Sequence, residues 1–149
     1  MKLIIDSPEQ MEVLGEKLAK LLKTGDLVLL SGPLGAGKTT LTRGLGKALR
    51  AEGTIQSPTF VLARTHKISN GKLVHVDAYR LGSAIELDDL DIDFDNSIVV
   101  VEWARDFLEG YAENYLRLEV IRNSEDETRE VEVQAIGPRW LGVELASLN

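Results

Sequence analysis

Apolar positions recur along this chain with two different periods. Leu3-Ile4-Ile5 is a short apolar run that reads as a strand. Ser7-Pro8-Glu9-Gln10 then has the form of a helix start, with Ser7 as N-cap, Pro8 at the first helical position and Gln10 closing a capping box. Met11, Leu14, Leu18, Leu21 and Leu22 follow at helical spacing, and Thr24-Gly25-Asp26 ends the helix. Leu27-Val28-Leu29-Leu30 is a continuous apolar run of the kind a buried parallel strand shows. After a glycine-rich stretch, Leu41, Leu45, Ala48 and Leu49 share one face of a second helix. That helix is expected to run to about Ala51, where Gly53 stops it.

The middle and end of the chain read mainly as strands. Phe60 to Ile68 and Lys72 to Val76 flank Ser69-Asn70-Gly71, a hairpin signal because Asn-Gly tolerates positive φ. Ala84 to Leu90 is a short acidic helix or turn. Ser97-Ile98-Val99-Val100-Val101-Glu102-Trp103 is apolar on both faces and predicts a central strand. Phe107, Leu108 and Tyr111 suggest a short helix. Tyr115 to Ile121 and Arg129 to Ala135 alternate apolar and polar residues, which predicts an antiparallel hairpin with one wet face. Gly137-Pro138 breaks the pattern, and Trp140, Leu141, Val143, Leu145 and Leu148 are expected to pack a last helix on the core. The reading is an α/β fold: a three-layer sheet with a mostly parallel centre and antiparallel hairpin strands. One domain spanning 1–149 is the expectation for this length.

Composition narrows the classes. Hydrophobic residues are 44% of the chain, enough for a sizeable core. The formal net charge of −7 argues against independent, stable binding to nucleic acid, which rests on Lys and Arg neutralising phosphates. A role in a nucleic-acid pathway through a protein partner stays open. There is no cysteine, so neither a disulfide framework nor a thiolate metal site exists. No apolar run approaches the ~20 residues of a membrane helix, and the first residues lack a signal-peptide core. The expectation is a soluble, cytoplasmic protein without a membrane contact. Asp88, Asp89, Asp91, Asp93 and Asp95 do not fit a calcium loop; they read as a solvated face, or as a docking face for a basic partner.

The glycine-rich stretch carries the chemistry. Gly32-Pro33-Leu34-Gly35-Ala36-Gly37-Lys38-Thr39 has the form G-x-x-x-x-G-K-[ST], between a predicted strand and a predicted helix. The first backbone N–H groups of a helix have no internal partner and suit a triphosphate. Glycines let the backbone close on that anion. Lys38 supplies a point charge to the β/γ-phosphates, and the Thr39 hydroxyl is a hard oxygen ligand for Mg²⁺. The alternative is a glycine turn before an ordinary helix, which has no need of Lys-Thr after it.

Further candidates follow from strand ends. Asp77 closes the second hairpin strand and Glu102 closes the central one, and ligands of α/β sheets sit at such carboxyl ends. Glu102 has the form of a Walker B acid serving Mg²⁺ or water. Its alternative is a plain core-edge glutamate. Trp103 is a core residue by default, and its place beside Glu102 also makes it a site candidate. Thr59, in Ser57-Pro58-Thr59-Phe60, is the candidate sensor of γ-phosphate; a Thr at the start of a strand is the other reading. His66 and His75 face a choice between pairing across the hairpin and lying on an ordinary polar face. Without a local acid the polar face is preferred to a metal site.

These motifs together resemble the TsaE (YjeE) family of small bacterial P-loop ATPases. The loop 32–39 with Thr40, Ser57 to Phe60, His75-Val76-Asp77-Ala78-Tyr79-Arg80-Leu81 and Val101-Glu102-Trp103 occur in the family's order over nearly the whole chain. Pro33 stands where the family commonly has an acidic residue. The resemblance implies an accessory ATPase for threonylcarbamoyladenosine formation in tRNA, using ATP and Mg²⁺ and docking on a TsaD–TsaB complex. It implies phosphate contacts from Gly35, Ala36, Gly37, Lys38, Thr39 and Thr40, and Mg²⁺ held by Thr39 and Glu102. Asp77 and Thr59 would orient water or read the γ-phosphate. Arg129 resembles a nucleotide-contacting arginine, and the segment around Ser7 would lie near the base. Two rivals remain: a nucleoside or small-molecule kinase, and a GTPase-like switch module. The chain shows no arginine-rich lid for the first, and for the second no D-x-x-G and no guanine-binding Lys.

Overall fold

The computed structural model describes residues 1–33, 35–56, 62–104, 108 and 110–149. Seven strands make one sheet: β1 (Lys2–Ile5), β2 (Leu27–Ser31), β3 (Ala63–Ile68), β4 (Gly71–Asp77), β5 (Ser97–Glu102), β6 (Tyr115–Arg122) and β7 (Arg129–Ile136). Their spatial order is β1-β7-β6-β2-β5-β4-β3. The four central strands, β6, β2, β5 and β4, run parallel to one another. The flanking pairs β3–β4, β6–β7 and β1–β7 are antiparallel. This is a P-loop NTPase-like sheet with a parallel centre and antiparallel additions, as the alternation and the apolar runs predict.

The alternation of side chains divides the core into two layers. Val28, Leu30, Leu73, Ile98, Val100, Leu116, Leu118 and Val131 point to one face, where α1 (Pro8–Ala19) and α2 (Lys38–Ala48) cover them. Leu27, Leu29, Val74, Val76, Val99 and Val101 point to the other, under α3 (Ala84–Asp88) and the connecting turns. The apolar run of β5 is buried at every position, as expected of a strand covered on both faces. Arg117, Glu119, Glu132 and Gln134 form the wet face of the β6–β7 hairpin.

The first two helices are shorter than their apolar patterns suggest. α1 ends at Ala19, and Lys20 and Leu21 continue as a tighter turn, donating to Lys17 O and Leu18 O. Leu22 is still buried. α2 ends at Ala48 rather than near Ala51, because Arg50 takes the left-handed conformation (φ 59°). The Ala51 N–H then reaches back to Gly46 O and the Arg50 N–H to Lys47 O, a Schellman closure without a glycine at its usual place.

The expected last helix does not form. Two short 3₁₀ turns, Pro138–Trp140 and Leu145–Leu148, take its place. Gly142 between them sits at φ 78°, which interrupts a helix. The turns still bury Trp140 and Leu148, while Leu141 is exposed. The start of the first hairpin strand at Phe60 and the expected Phe107 turn lie outside the described residues. Leu108 is buried, and its carbonyl accepts the Tyr111 N–H.

Candidate functional site

The glycine loop lies where β2 runs out and α2 begins, at the carboxyl edge of the parallel strands. Gly37 is the N-cap of α2 at φ 109°, and Gly35 sits at φ 76°. Both angles are reached cheaply only by glycine. No side chain caps α2, and its first turn carries no acid. Its leading N–H groups are therefore free of a side-chain cap and of an acid on the helix's own first turn.

Lys38 is buried and folds back over this loop. Its Nζ donates to Gly32 O (2.6 Å) and Pro33 O (2.9 Å) and lies 3.9 Å above the centre of the Trp103 ring. Burial holds its pKa below the ordinary lysine value, partly opposed by the nearby Glu102 and Asp77 carboxylates. Trp103 takes φ 59°, unusual for a bulky residue, and meets Tyr79 edge-on at 5.4 Å between ring centres. The default placement of Trp103 in the core is corrected: the ring lies at the loop, with the lysine on its face.

Parallel registry brings the two strand-end acids together. Asp77 of β4 is the direct neighbour of Glu102 of β5, and Glu102 is the direct neighbour of Leu30 of β2. All three lie on the α2 side of the sheet, by alternation with Leu73, Ile98 and Val28. Asp77 and Glu102 are buried. Asp77 Oδ1 accepts the Tyr79 N–H at 2.9 Å.

His75 is the residue the periodicity reading misplaced. Its cross-strand neighbour on β3 is Arg64, whereas His66 stands opposite Leu73, so the two histidines do not pair. Nor does His75 lie on a polar face: it is fully buried, and its Nε2 is hydrogen-bonded to Glu102 Oε2. His66 instead bonds through Nδ1 to Glu52 O at 2.8 Å. The signal for His75 was its spacing of two from Asp77, which puts both on one face of a strand. What periodicity lacks is that β5 is the next strand.

A cavity of about 200 Å³ is lined by Gly35, Ala36, Gly37, Lys38, Thr39, Thr40, Glu102 and Trp103. On the other side of the same loop lies a cavity of about 340 Å³, which includes Ser7, Met11, Gly35, Gly37, Thr40 and Arg129 in its wall. Ser7 reaches it as the N-cap of α1, where its Oγ accepts the Gln10 N–H at 3.1 Å. The capping box closes one residue early, since Gln10 Oε1 accepts from Asp6 N rather than Ser7 N. Arg129 opposes Ile5 in the β1–β7 registry, and its guanidinium donates to Ala36 O (3.2 Å) and Gly35 O (3.4 Å). Asp126 and Glu127 of the β6–β7 turn also face this cavity; Asn123-Ser124-Glu125-Asp126 formally reads N-x-x-D, and without the guanine-binding Lys the sequence reading gave this turn no site role. Arg80, the arginine of the motif that follows Asp77, is exposed on the turn after β4. Thr59, with Ser57, Pro58 and Phe60, lies outside the described residues.

The donor set fits a phosphate-bound divalent cation. Thr39, Asp77 and Glu102 offer only hard oxygens, the ligands Mg²⁺ prefers. No cluster of three or more His, Cys, Asp or Glu able to hold a metal occurs among the described residues. A cation here would complete its shell with phosphate and water, the usual Mg²⁺ arrangement. A larger concavity of about 430 Å³ between β1 and α1 is walled by Leu3, Ile4, Ile5, Val13 and Leu148 and lies away from the glycine loop. Among the described residues no helix is long and apolar enough to cross a membrane.

Known proteins are similar to this chain in sequence and in fold. The profile of a family described as "Threonylcarbamoyl adenosine biosynthesis protein TsaE" matches residues 5–131. A Streptomyces coelicolor protein named "tRNA threonylcarbamoyladenosine biosynthesis protein TsaE" is 50% identical over 146 residues, covering 93% of this chain and 99% of its own. A Bacillus subtilis protein of the same name is 33% identical over 137 residues, 90% of this chain and 85% of its own. The fold is similar to that in the "Crystal structure of Bacillus subtilus YdiB", with a TM-score of 0.77 at 30% identity over 95% of this chain and 88% of that one.

Proposed function

The chain belongs to the TsaE family, and on that footing we propose that it is an accessory ATPase of threonylcarbamoyladenosine formation in tRNA. It binds and hydrolyses ATP with Mg²⁺ while docked on a TsaD–TsaB transferase complex. The observation that carries the reading is the meeting of the glycine loop, Lys38 and two buried strand-end carboxylates on adjacent parallel strands.

In this reading the backbone of Gly35 to Thr40 and the free N–H groups of α2 hold the phosphates. Lys38 neutralises the β- and γ-phosphates, exchanging a loop carbonyl for a phosphate oxygen. Thr39 and Glu102 hold Mg²⁺, which supplies charge neutralisation when bound. Asp77 and Thr59 orient water or read the γ-phosphate. Ser7 and Arg129 border the nucleoside side of the loop, and Trp103 borders the phosphate side. The acidic net charge fits a protein that reaches its RNA pathway through other proteins.

The test is a multiple-turnover modification assay with purified TsaD and TsaB, with and without this chain. The chain is expected to be required for turnover, with ATP consumed. Lys38→Ala and Glu102→Ala are each expected to abolish ATP hydrolysis in the presence of the partner complex. Intact hydrolysis in both variants would show the site assignment to be wrong.

A further inference from the structure

His75 is a fully buried polar side chain whose only hydrogen bond among the described residues goes to Glu102. We propose that His75 is a positioning residue for Glu102: it fixes the carboxylate rotamer and occupies Oε2, leaving Oε1 for the cation and water. The inference rests on the nucleotide reading above for its consequence, and on the apo geometry for its premise.

The geometry starts from sheet registry. His75 is the direct neighbour of Val100, and Glu102 lies two residues further along β5 on the same face. The imidazole therefore reaches forward along the sheet to the acid at the strand end. Asp77, two residues on from His75, flanks the same carboxylate from the neighbouring strand. Glu102 is thus held between a donor behind it and a second acid beside it. A carboxylate this deep in the protein requires a donor, since an unpartnered buried charge is costly.

The proton on His75 can be assigned from its surroundings. An ionised carboxylate only accepts, so the bond requires hydrogen on Nε2. His75 Nδ1 is buried without a partner among the described residues. With the proton on Nε2, the orphan atom is an acceptor lone pair. With the proton on Nδ1, a buried N–H would be left without an acceptor, the rarer and costlier case. Both conditions select the Nε2–H tautomer. The arrangement resembles, in its physics, the outer-shell partners that orient metal ligands, here with the roles exchanged: an imidazole orients a carboxylate.

Two measurements test this. The first needs no nucleotide. The chain has two histidines, so the ¹⁵N-imidazole spectrum of the free protein is simple. It should show one ring with its proton on Nε2, whose resonances move in Glu102→Gln. A His75 ring without a proton on Nε2, or one indifferent to Glu102→Gln, overturns the proposal.

The second titrates Mg²⁺ calorimetrically into protein with a non-hydrolysable ATP analogue. His75→Ala should weaken the apparent Mg²⁺ affinity about 10-fold or more, with analogue affinity in EDTA unchanged. His75→Gln, which keeps an N–H donor, should recover part of the loss. In Glu102→Gln, adding His75→Ala should cost nothing further. Wild-type Mg²⁺ dependence in His75→Ala, or an equal loss in the Glu102→Gln background, overturns the proposal. If His75→Ala does not fold, His75→Gln and the spectrum decide. If the analogue does not bind even the wild type, the nucleotide reading fails, and the spectrum still tests the His75–Glu102 contact.

Discussion

At the scale of single residues, Lys38 ties the loop to the acids. Its ammonium is held by two loop carbonyls and one aromatic face while buried between them. Burial lowers its pKa from the ordinary 10.5, against the pull of Glu102 and Asp77. Phosphate binding needs the charged form, which is lost as pH rises. Nucleotide affinity is therefore expected to fall at a pH below 10.5, and Lys38→Ala should flatten that alkaline limb. Calorimetric titration of ATP across alkaline pH checks it; a limb that survives in the alanine variant would assign the loss to another group. The glycine loop and both strand-end acids were legible in the sequence because each follows an apolar strand. The His75–Glu102 contact was not, since a hairpin signal links only adjacent segments. The pairing of β4 with β5 is a parallel crossover, which no local pattern encodes.

At the scale of elements, the two helices beside the loop touch backbone to backbone. A Cβ added to Gly44 would lie 1.9 Å from Glu12 O, and one added to Gly15 would lie 2.1 Å from Leu41 O. These glycines, in the middle of helices where they are otherwise costly, let α1 and α2 approach closely. Gly44→Ala is expected to destabilise the protein by about 1–3 kcal/mol or more through overpacking, measured as a lowered denaturation midpoint. An unchanged midpoint would mean that the helices separate at little cost. The close fit also sets Met11 of α1 against the loop: a Cβ on Gly37 would meet Met11 Cε at 3.2 Å. The apolar stripes of both helices were readable from spacing. Their contact was not, although a glycine inside each helical pattern was its visible trace. The last helix was over-read for the opposite reason: apolar spacing from Trp140 to Leu148 outweighed Gly142, and the glycine prevailed.

At the scale of the molecule, distant parts of the chain are pinned to the sheet by few polar contacts. Arg139 donates to both oxygens of buried Asp26 (3.0 and 2.9 Å) and to Leu21 O (2.9 Å), with its guanidinium 4.2 Å from the Trp140 ring centre. This joins the turn after β7 to the turn between α1 and β2. Arg139→Ala leaves the Asp26 carboxylate without its cation, with the Lys23 N–H (2.8 Å) still donating to Oδ2, and is expected to cost roughly 3 kcal/mol, the lower end for a broken buried pair. Chemical denaturation should show it, and Arg139→Ala with Asp26→Asn should regain part of the loss; equal stability of wild type and single variant would exclude the role. Arg129 makes the corresponding contact with the glycine loop, accepted by the carbonyls of Gly35 and Ala36. The loop leaves the ribosome more than 90 residues before this arginine does. During synthesis the glycine loop therefore waits, without these two contacts, for β7. A chain cut short before Arg129 lacks both contacts, so whatever order they lend the glycine loop arrives only with β7.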